Sequence, residues 1–183
     1  MKSTVSVLVL VLMLGAGKVE AQMPGQMGGG QQSTSVAATM KGSWTNISDL
    51  LQKMAEKMPE DSYRFKATPE LQDFGTRIAH AISFMMRGCA AVKGDQKAST
   101  FSAEPTKTEV LAQMKEARAE CDAVFNALTE ADLAKMTGGQ RPRPVYATLS
   151  GTVLEHSQEM YGYMAVYLRL KGIVPPSSDR NER

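Results

Sequence analysis

Two histidines, His80 and His156, and two cysteines, Cys89 and Cys121, are the residues of this 183-residue chain best suited to chemistry. Their neighbours narrow what that chemistry is. Ser157 follows His156 directly, so the two side chains diverge on a helix, and no Gly-x-Ser-x-Gly elbow is present; a serine or cysteine hydrolase is poorly supported. Glu155 and Glu159, four residues apart, read as a solvated helix face. Gly28-Gly29-Gly30 precedes no strand or helix pattern and makes no phosphate cradle. His156 and Met160 share a helix face, and a thioether is a soft ligand suited to Cu(I). Methionine on an apolar helix face is otherwise core. His156 therefore lies either at a core edge or in the wall of a metal site.

The element carrying His156 is the most strongly patterned in the chain. From Val145 to Lys171, Tyr146, Leu149, Val153, Met160, Met164 and Tyr167 fall within about 40° of one line on a 100° wheel. Pro144 suits the first turn, Gly172 the left-handed cap, and Pro175-Pro176 prevent resumption. Three further helices are expected. The first, about Met40 to Met58, puts Trp44, Ile47, Leu50, Leu51, Met54 and Met58 on one face and stops at Pro59. The second, about Pro69 to Lys93, carries a stripe of Phe74, Ile78, Ala81, Ile82, Met85 and Cys89, with His80 about 160° away. Phe84, Met86, Ala90 and Ala91 spread apolar surface round that helix, which implies burial on more than one side. The third starts near Pro105, capped by Thr106 or Thr108, with Val110, Met114, Ala117, Cys121, Val124 and Leu128 inward. Thr129 to Asp132 reads as a small capping box, and residues 135–144 as a flexible basic loop. No stretch alternates with period two, so the fold class is all-α, a four-helix bundle.

Lys2, the apolar run Val5–Leu14 and Val19-Glu20-Ala21 read as a secretory signal spanning residues 1–21, too short to cross a bilayer as a helix. Residues 22–38 read as a disordered Gly/Gln/Met linker, 39–177 as the bundle and 178–183 as a charged tail. Without the signal the chain has 19 basic and 18 acidic residues, a net charge of +1. That is no electrostatic footprint for nucleic acid or an anionic membrane. The expected location is exported, periplasmic or extracellular, where a disulfide is permitted.

Several segments carry a family likeness. Glu155-His156-Ser157-Gln158-Glu159-Met160-Tyr161-Gly162, followed by Tyr167 to Ser177 (YLRLKGIVPPS), resembles the C-terminal signature of the DinB-like superfamily. Met58-Pro59-Glu60-Asp61-Ser62-Tyr63 with Phe65 resembles that family's link between helices 1 and 2, and Phe74-Gly75…Ile78-Ala79-His80 its second-helix motif. The resemblance implies up-down-down-up topology, frequent homodimers and, in many members, zinc or nickel on three histidines. One histidine comes from helix 2 and two from an H-x3-H pair on the last helix; assigned activities include thiol-dependent transferases and isomerases.

Carried over, His80 matches the helix-2 ligand and His156 the first of the pair, while Met160 stands where the second belongs. The metal site expected from the resemblance is thus His80, His156 and Met160, a degenerate triad, since thioether is a poor zinc or nickel ligand. The reading that follows is an exported module that binds a small ligand or a protein without full metalloenzyme chemistry. The alternative is a divalent-metal enzyme, of thiol-transferase or hydrolase type, using His80 and His156. The parallel helices 2 and 3 of the implied topology would put Cys89 and Cys121 at one height, as a disulfide. Two buried thiols are the other reading; antiparallel helices would separate them by about 15 Å.

Overall fold

The computed structural model describes residues 35–138 and 141–180. The expected signal and most of the expected linker lie outside them. Ser35 caps the first helix, α1 (Val36–Lys57), accepting from the Ala38 backbone N–H. Residues 36–38 are therefore helical rather than linker. Ala37 explains why: it is buried, and its N–H donates to Glu130 Oε1 at 2.8 Å, which docks the helix start on the bundle.

The other helices have equally local causes. Tyr63 follows the 3₁₀ turn Glu60–Ser62, and its hydroxyl donates to Ala55 O at 2.8 Å. Its ring meets Phe74 edge-on at 5.2 Å, and burial pushes its phenol pKa well up. α2 (Phe74–Val92) starts later than Pro69, because the Asp73 carboxylate accepts from the Thr76 N–H at 2.8 Å and sets the cap there. α3 (Lys107–Ala127) opens on a full Thr106–Glu109 capping box. Thr129 and Asp132 make a second, reciprocal pair around the turn Glu130–Asp132.

The last helix, α4, runs over residues 145–170 but is not regular. Val145–Ala147 is α-helical, Thr148–Glu155 is π-helical, and His156–Leu170 is α-helical again. The wider π turn shifts the buried face by about one residue. Leu149, Val153 and Leu154 are buried, and then Ser157, Met160, Tyr161, Met164, Tyr167 and Leu168. Tyr146, expected on the stripe, is 48% exposed. Gly172 adopts φ 73°, and Ile173 N–H reaches back to Leu168 O at 2.9 Å, closing the helix as the sequence pattern requires. The tail is held too, since Lys57 pairs with Asp179 at 2.6 Å.

Contacts fix the directions. Trp44, early in α1, donates to Asp122, late in α3, while Lys107 at the α3 start reaches Glu56 O and Met58 O at the α1 end. So α1 and α3 are antiparallel. Arg77 meets Met160, and Gly88 faces Val153, so α2 and α4 are antiparallel. Cys89 and Cys121, late in α2 and α3, are joined by a disulfide with a Cα–Cα distance of 5.2 Å, so those helices are parallel. The order is up, down, down, up. The expected stripes of α1, α2 and α3 are buried, with Leu50 and Leu128 at the margin. Met86 and Ala90 are buried as well, so α2 is covered on two flanks.

The basic loop expected to be flexible is closed at its base. Met136 and Pro144 form an antiparallel bridge, and Thr137 N–H donates to Arg143 O at 2.8 Å.

Two stability predictions follow from these contacts. A Cβ on Gly88 would lie 2.5 Å from Val153 Cγ2, so Gly88→Ala should cost about 1–3 kcal/mol by overpacking, read as a lowered denaturation midpoint. The disulfide closes a sequence separation of 32 residues. Replacing both cysteines by alanine should cost about 3–4 kcal/mol on a chain-entropy basis, roughly a 10 °C fall in Tm. Equal melting curves for variant and unreduced parent would contradict this.

Candidate functional site

α2 and α4 bring both histidines to one place. The His80 and His156 rings lie 5.1 Å apart, edge to face. Phe84, one turn beyond His80 on α2, packs at 4.0 Å on His156 and 4.7 Å from His80. The Arg87 guanidinium covers the Phe84 ring at 4.3 Å. The result is a cluster of Arg87, Phe84, His156 and His80 at the α2–α4 seam.

His156 has a side chain only 16% exposed. Its Nδ1 lies 3.4 Å from Glu159 Oε2, one turn on, and its Nε2 is buried with no hydrogen-bond partner. Met160 is buried beside it. Arg77, one turn before His80, points Nη1 at the Met160 sulfur at 4.0 Å and lies over the Tyr163 ring at 5.2 Å. Its Nε is likewise buried and unpartnered. These side chains, with Leu71 and Tyr167, line a cavity of about 440 Å³. A second cavity of the same size, about 440 Å³, opens between the ends of α2 and α3, but it contains no histidine. Its charged residues are satisfied within the protein, Asp132 and Lys135 by each other at 2.7 Å and Lys93 by Glu120.

His80 is exposed at the mouth of the cavity. Partial burial lowers its pKa below the ordinary 6.5, helped by the neighbouring His156, Arg77 and Arg87; Glu159 opposes them.

His80, His156 and Met160 are therefore brought together as the motif match implies. Glu155 and Glu159 are both exposed, as a solvated face, and Glu159 also reaches His156. Arg77 was not singled out in the sequence, although its spacing of three from His80 puts it on the same side of α2. The donor set does not fit a zinc or nickel triad. Among the described residues, no group of three His, Cys, Asp or Glu side chains is placed to hold a metal ion. The position of the third histidine is held by a thioether that already faces a guanidinium, and that fixed positive charge opposes a divalent cation.

The family model of the DinB superfamily matches residues 43–164. A crystal structure of a DinB-like protein from Bacillus cereus superposes with a TM-score of 0.61 at 18% identity, covering 78% of this chain and 97% of that one. A DinB-like protein from Bacillus subtilis gives 0.59 at 18% identity, covering 73% and 92%. At that identity the likeness shows the fold alone. No curated protein matches the sequence.

The lowered His80 pKa has a definite sign. Between its folded value and 6.5 the unfolded chain binds more protons, so the contribution of His80 to stability is complete above 6.5 and falls as pH drops below it. A proton NMR titration should show one histidine titrating below 6.5 and losing its low value in a Phe84→Ala/Arg87→Gln variant. A midpoint at or above 6.5 for His80 would refute this environment.

Proposed function

The chain belongs to the DinB superfamily, and from that premise we propose that it is a small-ligand-binding member lacking the complete metal triad. One observation carries this reading. Arg77 and His156, two of the residues that line the cavity, each bury a polar atom without a partner, Nε and Nε2 respectively. Buried groups of this kind are rarely left unpaired, and a ligand would satisfy both. Arg77 Nε–H is a donor and requires an acceptor. In the tautomer that carries its proton on Nδ1, 3.4 Å from Glu159 Oε2, His156 offers a lone pair at Nε2 and requires a donor. The matching ligand is a small molecule with a carboxylate or carbonyl oxygen close to an O–H, N–H or S–H group. Tyr163, half-exposed, and Leu71 supply an apolar rim.

The alternative, a divalent-metal enzyme using His80 and His156, shares the unpartnered Nε2 as its support. It must place the ion beside Arg77, which disfavours it. Export is supported by the Cys89–Cys121 bridge, since disulfides persist in oxidising compartments. No described helix is long and apolar enough to cross a membrane. A homodimer is supported by the outward row Tyr163, Val166 and Leu170 on α4, exposed by 50%, 52% and 57%.

Glycolate and mercaptoacetate are suitable probes, each with a carboxylate beside a donor. Both should shift the His156 ring resonances in the millimolar range, and Arg77→Gln should weaken the effect about tenfold or more, the loss of one charged hydrogen bond. Protein purified without a nickel column should carry no stoichiometric zinc or nickel, whereas Arg77→Gln/Met160→His should take up one equivalent of zinc. One equivalent of metal in the parent protein, lost in His156→Ala, would overturn the proposal in favour of the metalloenzyme.

A further inference from the structure

Near the histidine cavity lies a second cleft, about 260 Å³, whose lining includes Arg87, Arg141, Arg143, Thr137, Thr148 and Thr152. Three guanidinium-bearing residues converge there, and no carboxylate is among the residues that line it. None of the three arginines forms an ion pair among the described residues, although surface arginines elsewhere do, as Arg64 does with Asp73 and Glu104. Three like charges around a small concavity repel one another unless an anion joins them.

The cleft is built by fixed elements. The Arg87 guanidinium carbon lies 4.3 Å from the centre of the Phe84 ring, a cation–π contact that restrains the side chain. Arg143 sits where the loop is pinned: its carbonyl accepts from Thr137 N–H at 2.8 Å and its N–H donates to Thr137 Oγ1 at 3.2 Å. Thr137 is itself buried. Thr148 and Thr152 come from the π turn of α4, which approaches α2 closely because residue 88 is glycine. Helical irregularities of this kind are frequent at functional sites.

We propose that this cleft binds a compact tetrahedral dianion, a phosphate or sulfate group, either free or as the terminal group of a small ester. Arginine forks match such oxyanions bidentately, and threonine hydroxyls can donate to the remaining oxygens. A cleft of about 260 Å³ suits one such group and not a polymer strand. The site is separate from the histidine cavity and does not depend on the reading given to it.

The test is a titration of the full chain with sodium phosphate and sodium sulfate against sodium chloride at matched ionic strength. Binding is followed by amide shifts and by Tm. Phosphate and sulfate should raise Tm beyond chloride and move the amides of Gly138, Arg143, Thr148 and Thr152. Arg141→Gln/Arg143→Gln, on an exposed loop, should fold normally by circular dichroism and bind at least about tenfold more weakly; Arg77→Gln should bind as the parent does. Glycerol 3-phosphate binding more tightly than inorganic phosphate would identify an ester; equal binding would identify the free anion. Phosphate and sulfate acting no differently from chloride, or full binding by the double variant, would overturn the proposal.

Discussion

α2 must be covered on two flanks, and residues 88 and 89 are where both demands meet. Cys89 is bonded to Cys121 and fixes α3 against one flank. Gly88, about 100° further round the helix, lets the α4 backbone come close on the other, with Val153 Cγ2 occupying the space of a side chain. Two helices pinned to adjacent residues leave α2 no freedom to slide or rotate. The heights of every side chain along the α2–α4 seam, His80 and His156 included, follow from that point.

The close approach also bears on why α4 is irregular. A regular helix holding Leu149 inward would place residues 153 and 156 or 157 inward in turn. The π turn inserts one residue, so Val153 and Leu154 share the burial and Ser157 takes the next inward position. His156 lies at the seam, with Nδ1 toward Glu159 and its ring against Phe84. Thr148 and Thr152, within the π turn, line the neighbouring cleft.

Most of the fold was legible in the sequence because its causes are local. Stripes at helical spacing, Pro59, Pro144, Gly172 and the capping residues mark α1 to α4, and the motif match supplies the parallel α2–α3 pair. What was illegible depends on tertiary contact. A 100° wheel cannot register a π turn, so it placed Tyr146 inside, where the structure exposes it. Composition made residues 36–38 look like linker, because the Ala37–Glu130 bond that orders them joins residues 93 apart. Of the site, the His80, His156 and Met160 positions were readable by motif. Arg77 was not, since a charged residue on a helix face usually means solvent.

Arg77 changes what the missing histidine means. Loss of one ligand alone would leave a weaker metal site. Loss of a ligand together with a guanidinium at 4.0 Å from the replacing sulfur puts a permanent cation where a metal's charge would act. Arg77 cannot be deprotonated at working pH, unlike a histidine ligand. The positive charge of the pocket is therefore retained without an ion, and it adds, after partial burial and His156, to the lowering of the His80 pKa through Arg77 and Arg87. Arg87 extends the same logic through Phe84 into the neighbouring cleft. Both cavities along the seam thus include arginine residues in their lining. Fixed positive charge of this kind is electrostatically unfavourable for a cation placed beside it.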